Sequence, residues 1–305
     1  MIDKLIWAPD DLSGRVQRLY RDGVPPGDST GWPSVDKFYT VAAGQMTLVT
    51  GIPGMGKSEW LDALMVNLAL NDGWRFALYS PENHPVELHV SKLVEKYVGA
   101  PFRKGPTKRM DEQTANEATF WVLENFIFLD PTYRDYQTLL EAAVLFRGTA
   151  KKFGVVLDPW NTLEHLRPAG LTETEYISAA LTSMSTWVRT ANLHLWIVAH
   201  PRILQKNPTT GKRDVPSPYD IAGSAHWYNK ADNIVTVHRN QAEDQSSVEI
   251  YVQKVRFKHI GRLGVAELKY DRASGRYSDP QAIADTAAIR VCVVRSTRCG
   301  RRCRS

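Results

Sequence analysis

Between Phe38 and Asp232, short apolar runs rich in β-branched and aromatic residues alternate with longer stretches of helical periodicity. The runs predict strands near 46–50, 75–80, 126–129, 154–158 and 194–199. The stretches between them predict helices near 57–71, 85–98, 112–124, 135–151 and 173–191. Strands and helices in strict alternation imply a mostly parallel sheet with crossover helices on both faces. Past Asp232 the pattern changes to strands without helices, near 233–238, 247–256 and 263–270. The last two join through His259-Ile260-Gly261-Arg262, a hairpin with a glycine in its turn. The expected fold class is α/β, a parallel core extended by a C-terminal β-hairpin.

Three segments follow from this pattern. Residues 1–35 read as an arm: a helix over 11–20 places Leu12, Val16 and Leu19 on one face, with Asp11 or Ser13 to cap it. A Gly- and Pro-rich loop from Gly23 to Pro33 separates it from a core spanning 36–280. A helix this short cannot bury its apolar face alone, so it is expected to pack on its own domain or on a neighbouring subunit. Residues 281–305 form a basic Cys/Arg tail, expected to be a disordered appendage, with a nucleic-acid-binding extension or a metal site at Cys299-x₃-Cys303 as alternatives.

Composition narrows the class further. The chain is 43% hydrophobic and 23% charged, as ordinary globular domains are. No run approaches the roughly 18 apolar residues of a membrane span. Asp3, Asp10 and Asp11 and the lack of a long apolar core argue against a secretory or transit peptide, so a cytoplasmic protein is expected. The net charge of +5 belongs to the tail, where six arginines face one acid, Asp285. Any nucleic-acid affinity of the body must therefore come from local basic patches. Cys292, Cys299 and Cys303 also lie in the tail, so the body carries no disulfide framework.

The chemistry centres on Met46 to Leu70, where an apolar strand, a glycine-rich octet and an amphipathic helix follow one another. Gly51-Ile52-Pro53-Gly54-Met55-Gly56-Lys57-Ser58 fits G-x-x-x-x-G-K-[ST] in the required strand–loop–helix setting. Glycines let backbone N–H groups and the helix N-terminus face an anion. Gly51, Pro53, Gly54, Met55, Gly56, Lys57, Ser58 and the following Glu59 are thus expected to hold a nucleoside triphosphate, with Lys57 on the β/γ-phosphates and Ser58 on Mg²⁺.

Hydrolysis needs further groups. Asp158 ends the run Phe153–Leu157 and is read as the carboxylate that holds Mg²⁺, against a loop-capping role before Pro159. Glu82 follows the second strand; it would stand beside the glycine-rich loop if that strand neighbours the first, there to orient the attacking water. Its alternative is charge complementarity at a helix N-terminus. His200 closes a third strand and is read either as a γ-phosphate sensor or as a structural histidine. The long segment after it, Pro201 to Tyr219, carries Arg202, Lys206, Lys212 and Arg213, suited to the phosphates of a single strand or simply to solvent. Lys254 and Arg256 share one face of a strand, either as cations for a nucleotide in an adjacent subunit or as an exposed basic edge.

In this order the motifs resemble those of RecA-fold ring helicases of replication: the DnaB type, phage primase–helicases and the Twinkle helicases. The resemblance covers about 30–275 and rests on Ser80-Pro81-Glu82-Asn83, Leu157-Asp158-Pro159, Val198-Ala199-His200-Pro201-Arg202, Gly223-Ser224-Ala225, Ala231-Asp232 and Lys254-Val255-Arg256. It implies a RecA-like core, ATP and Mg²⁺ as cofactors, and single-stranded DNA in the channel of a homo-oligomer, a hexamer in the family. It also implies Glu82, Lys57 and His200 as catalytic groups, and Lys254 and Arg256 inserted into the neighbour's site. Arg239 and Tyr270 match residues that flank the base, and the 11–20 helix matches the family's linker helix. A phage-type setting and a separate primase or loader are further implications. Where phage members carry a primase region, about 35 residues stand here, so no priming activity is expected. A non-translocating ATP switch working through protein partners, and a small-molecule kinase, are the competing readings.

Overall fold

In the computed structural model, residues 7–165, 167–205, 213–223, 225–239 and 246–280 are described. The helix α1 (Pro9–Asp22) precedes a short α2 (Pro33–Asp36). The first βα unit is β1 (Gln45–Thr50) and α3 (Lys57–Asp72), followed by β2 (Arg75–Tyr79) and α4 (Val86–Val98). Next come α5 (Glu112–Asn125), β3 (Phe126–Phe128), α6 (Tyr136–Arg147) and β4 (Phe153–Leu157). The long α7 (Glu173–Ala191) leads to β5 (His194–Val198), and a five-residue α8 (His226–Lys230) leads to β6 (Asn233–Arg239). The meander β7 (Ser247–Val255), β8 (Gly264–Tyr270) and β9 (Tyr277–Ser278) follows.

All nine strands form one sheet in the order β3-β2-β4-β5-β1-β6-β7-β8-β9. The first six are parallel to their neighbours, and the last three pair antiparallel. Central strands β1, β4 and β5 are buried along their whole length, as continuous apolar runs predict for a sheet covered on both faces. Two apolar layers result. One contains Trp60, Leu64, Phe76 and Trp196, and the other Leu48, Tyr79, Leu157, Met184 and Ile197.

The helix expected over 135–151 stops at Arg147, because Gly148 takes a positive φ and ends it. Three elements had no sequence signal of their own: α2, α8 and β9 are each five residues or shorter. α1 is two residues longer at each end than expected, and none of its residues is buried. Trp7, Leu12, Val16 and Leu19 are exposed, so this helix does not pack on its own domain, whereas Trp32 and Val35, at the end of the expected arm, are buried in the core. The tail cysteines lie outside the described residues. No described helix is long and apolar enough to cross a membrane.

Candidate functional site

Every parallel strand points its C-terminal end to the same edge of the sheet, and the loop after β1 sits at that edge. Gly51, Gly54 and Gly56 take positive φ angles of 146°, 81° and 88°. A Cβ on Gly51 would collide with the Val237 carbonyl of β6, and one on Gly56 would crowd Arg239 at 3.2 Å. Glycine is therefore demanded by backbone angle at all three positions, and at Gly51 by space as well. Lys57, the first residue of α3, is buried and folds back, its Nζ donating to the carbonyls of Gly51 (2.9 Å) and Ile52 (3.3 Å). Burial lowers its pKa, opposed by the charges of Asp158 and Glu82.

Asp158 follows β4 and is held by its own N–H donating to the Tyr79 carbonyl at 2.9 Å. It is buried, and burial pushes its carboxyl up to about 6, with Asp62 and Glu82 adding repulsion. A hydrogen bond from Ser58 and the charge of His89 pull the other way. A serine hydroxyl and a carboxylate side by side are hard oxygen donors of the kind Mg²⁺ takes alongside phosphate oxygens. Among the described residues no cluster of three or more His, Cys, Asp or Glu side chains could form a metal cage. A Mg²⁺ would therefore be held by Ser58 and Asp158 and would neutralise phosphate charge there.

The condition attached to Glu82 fails: β2 does not neighbour β1, because β4 and β5 lie between them. Glu82 reaches the site instead through the loop after β2. Its Oε1 lies 3.9 Å from His200 Nε2, which extends from beyond β5. Burial and the Lys57 charge lower the His200 pKa, so the ring is neutral near pH 7. Glu82, exposed, and His200, half-buried, face each other beside Lys57.

Arg239 at the end of β6 and Tyr270 at the end of β8 meet over the glycine-rich loop, the guanidinium 4.8 Å above the ring. Tyr277 of β9, which no sequence pattern singled out, completes this corner at 5.0 Å from Tyr270. Glu59 points elsewhere, towards Lys92 (3.0 Å) and Lys96 (2.6 Å) of α4. Burial raises its carboxyl, but the two lysines win and bring it down to about 2. Glu59 therefore ties α3 to α4 rather than facing the phosphate loop.

Comparison with known proteins agrees with this geometry. No family model matches the chain. The chain is 41% identical over 283 residues to "Twinkle homolog protein, chloroplastic/mitochondrial" of Arabidopsis thaliana, an alignment covering 88% of this chain and 38% of that protein. The chain thus spans well under half the length of that relative. A solved ATPase domain superposes with a TM-score of 0.73 at 18% identity, over 90% of this chain and 99% of that one. A DnaB-like replicative helicase, solved in a study of its interactions with primase, gives 0.74 at 17% identity, over 89% and 68%. The fold is that of a RecA-like ATPase core, and the sequence is similar to that of the Twinkle homolog.

The Lys254/Arg256 pair lies away from the glycine-loop edge. Lys254 and Arg256 share a face, as alternation predicts, but antiparallel β7 carries them to the opposite end of the sheet, where Val255 pairs with Asn233 at the start of β6. Asn233 in turn pairs with Thr47, four residues before Gly51, so about 13 Å of strand separates the two levels. Arg256 Nε lies 2.9 Å from the buried Asp232 carboxylate, and its Nη2 donates to the carbonyls of Asn229, Lys230 and Ala231. Lys254 Nζ donates to the Tyr228 carbonyl and stands over that ring. Burial and Arg256 lower the Lys254 pKa, against the pull of Asp232.

At the other end, the segment after β5 is pinned at its base by the Arg202–Asp220 ion pair (3.0 Å) and a bridge between Pro201 and Ile221. Arg202 remains 68% exposed, and Arg213 donates to the Leu204 carbonyl. Lys206 and Lys212 lie outside the described residues. Sequence reasoning missed one further pair, Asp62 of α3 and His89 of α4, because neither belongs to a motif.

Proposed function

We propose that this chain is an ATP-dependent DNA helicase core that moves along single-stranded DNA as a homo-oligomeric ring, with six subunits as in the resembled family. The observation that carries the reading is the division of the sheet. Lys57, Ser58, Asp158, Glu82 and His200 gather at one edge, and the Lys254/Arg256 pair sits at the other. A head-to-tail interface brings opposite edges of two copies together, and closes into a ring where the rotation between copies closes. Arg256 would then reach a neighbour's γ-phosphate, while Mg²⁺ held at Ser58 and Asp158 supplies charge neutralisation.

In this reading Arg202 and Arg213, with Lys206 and Lys212, follow DNA phosphates, Arg239 and Tyr270 hold the base of ATP, and the exposed face of α1 docks on the adjacent subunit. A separate primase or loader is a natural partner for such a core. The organelle named for the Arabidopsis relative belongs to that protein and differs from the bacterial or phage setting expected from the sequence.

The test is the ATPase rate with and without single-stranded DNA, across a salt series, on chains with and without residues 281–305. Strong stimulation that fades with salt and ignores the tail supports the ring helicase. An oligomer whose ATPase is indifferent to DNA points to the partner-driven switch, and consumption of ATP only with an added acceptor points to a kinase. Stimulation lost with the tail would assign DNA binding to those residues.

A further inference from the structure

A cavity opens beside the proposed nucleotide site and includes His200 in its lining. It measures about 880 Å³ and lies between the segment after β4, the start of α7 and residues 221–227. Trp160 and Trp227 form its floor, meeting edge to face with centroids 5.3 Å apart. Both are almost fully buried, and the Trp227 indole N–H donates to the Ala222 carbonyl at 2.9 Å, which fixes that ring. At the mouth, His165 lies 4.7 Å from Trp160 and 5.7 Å from Tyr176. Burial holds the His165 pKa below its ordinary value, so near neutral pH the mouth carries a flat, uncharged ring. Exposed Asn161, Arg167 and Glu173 complete the rim.

We infer that this cavity takes one unstacked nucleobase of the bound single strand. The claim rests on the single-strand reading above and deepens it. His165 and Tyr176, the accessible aromatic rings of the lining above the buried Trp160 and Trp227, offer faces on which any base stacks, and such stacking tolerates all sequences. The rim adds an amide, a carboxylate and a guanidinium, which can meet the hydrogen-bonding edge of a base. A phosphate is a poorer match, since Arg167 is the one permanent cation in the lining and Glu173 opposes it. The mouth is adjacent in sequence to the proposed phosphate-tracking segment, because Arg202 follows His200 by two residues.

His200 gives the occupied pocket a route to the ATP site. One of its ring nitrogens, Nε2, faces Glu82 at 3.9 Å, while Nδ1 is buried without a hydrogen-bond partner. A base seated against that ring would bear on the residue that faces the catalytic carboxylate.

The experiment compares the affinity of the full chain for oligothymidylate and for an abasic oligonucleotide of equal length, at one salt concentration. These probes share backbone charge and differ only in bases. Stacking contributes enough for a preference of about tenfold for the base-bearing strand. The double variant H165A/Y176A should bind both strands alike, with abasic affinity unchanged, and H165F/Y176F should keep the preference. Arg202→Ala should weaken both strands equally. Equal affinities in the unmodified chain, or a preference that survives H165A/Y176A, overturns the base pocket and leaves the helicase reading standing. Binding of neither strand overturns both.

Discussion

Asp62 Oδ1 and His89 Nε2 lie 3.0 Å apart, both almost fully buried, and join the helix that starts at Lys57 to the helix that follows Glu82. Burial lowers the His89 pKa, but the Asp62 carboxylate outweighs it and the net shift is upward. His89→Leu strands Asp62 in the core and should cost about 3–5 kcal/mol, while the double replacement with Asp62→Leu should recover much of that. A histidine raised on folding contributes its stability below its unfolded value of 6.5, and loses it as pH rises through the folded value. The gap in urea midpoint between the native chain and the double variant should therefore narrow on the alkaline side. An unchanged gap from pH 6 to 9 would show that the pair does not titrate as argued.

Asp158 carries the opposite sign. Its carboxyl is raised on folding to about 6, so the native state loses stability as pH climbs from the unfolded value of 3.8 to about 6. Asp158→Asn should then melt higher than the native chain above pH 6 in the absence of Mg²⁺. Metal binding needs the carboxylate, so affinity for Mg²⁺ with nucleotide should fall about tenfold per unit below that pH. Thermal melts and a calorimetric titration series check the two halves separately.

Arg256→Ala removes a partner from buried Asp232 as well as a proposed catalytic cation. It should lose ATPase activity, keep nucleotide binding and lower the melting temperature. The decisive experiment mixes Arg256→Ala chains with Lys57→Ala chains, each inactive alone. If the cation acts on a neighbour's site, some mixed interfaces pair an intact Lys57 with an intact Arg256, and activity should reappear. A mixture as inactive as its parts would exclude action between subunits.

Tyr270→Ala should raise the KM for ATP about tenfold, the scale of one lost base stack, with kcat little changed. Tyr270→Phe should behave as the native chain does. A fall in kcat at constant KM would place Tyr270 in the reaction rather than at the base.

Much of this was legible in the chain because the signals were local. The octet from Gly51 to Ser58 announces its own loop, and the run from Phe153 to Leu157 announces a buried strand with Asp158 at its end. Long-range pairing left no such trace. That β4 and β5 separate β1 from β2 follows from no local pattern, so the condition attached to Glu82 is not met, although the side chain arrives beside His200. Glu59 follows the phosphate-binding motif directly, yet Lys92 and Lys96 claim it across a helix interface. Tyr277, α8 and the aromatic cavity depend on segments too short to carry a periodicity, and appear only once the sheet is assembled.

The reversal of chain direction between β6 and β7 makes the chain a directed object, with a glycine-loop end and a cation-bearing end. Copies joined end to end have a sense, as arrows in a circle do, and reversing one copy breaks two joints. A circle of such arrows distinguishes clockwise from anticlockwise before any DNA enters it. In the proposed ring, whatever sequence of firing the sites adopt, its handedness would trace back to the antiparallel pairing of β6 with β7.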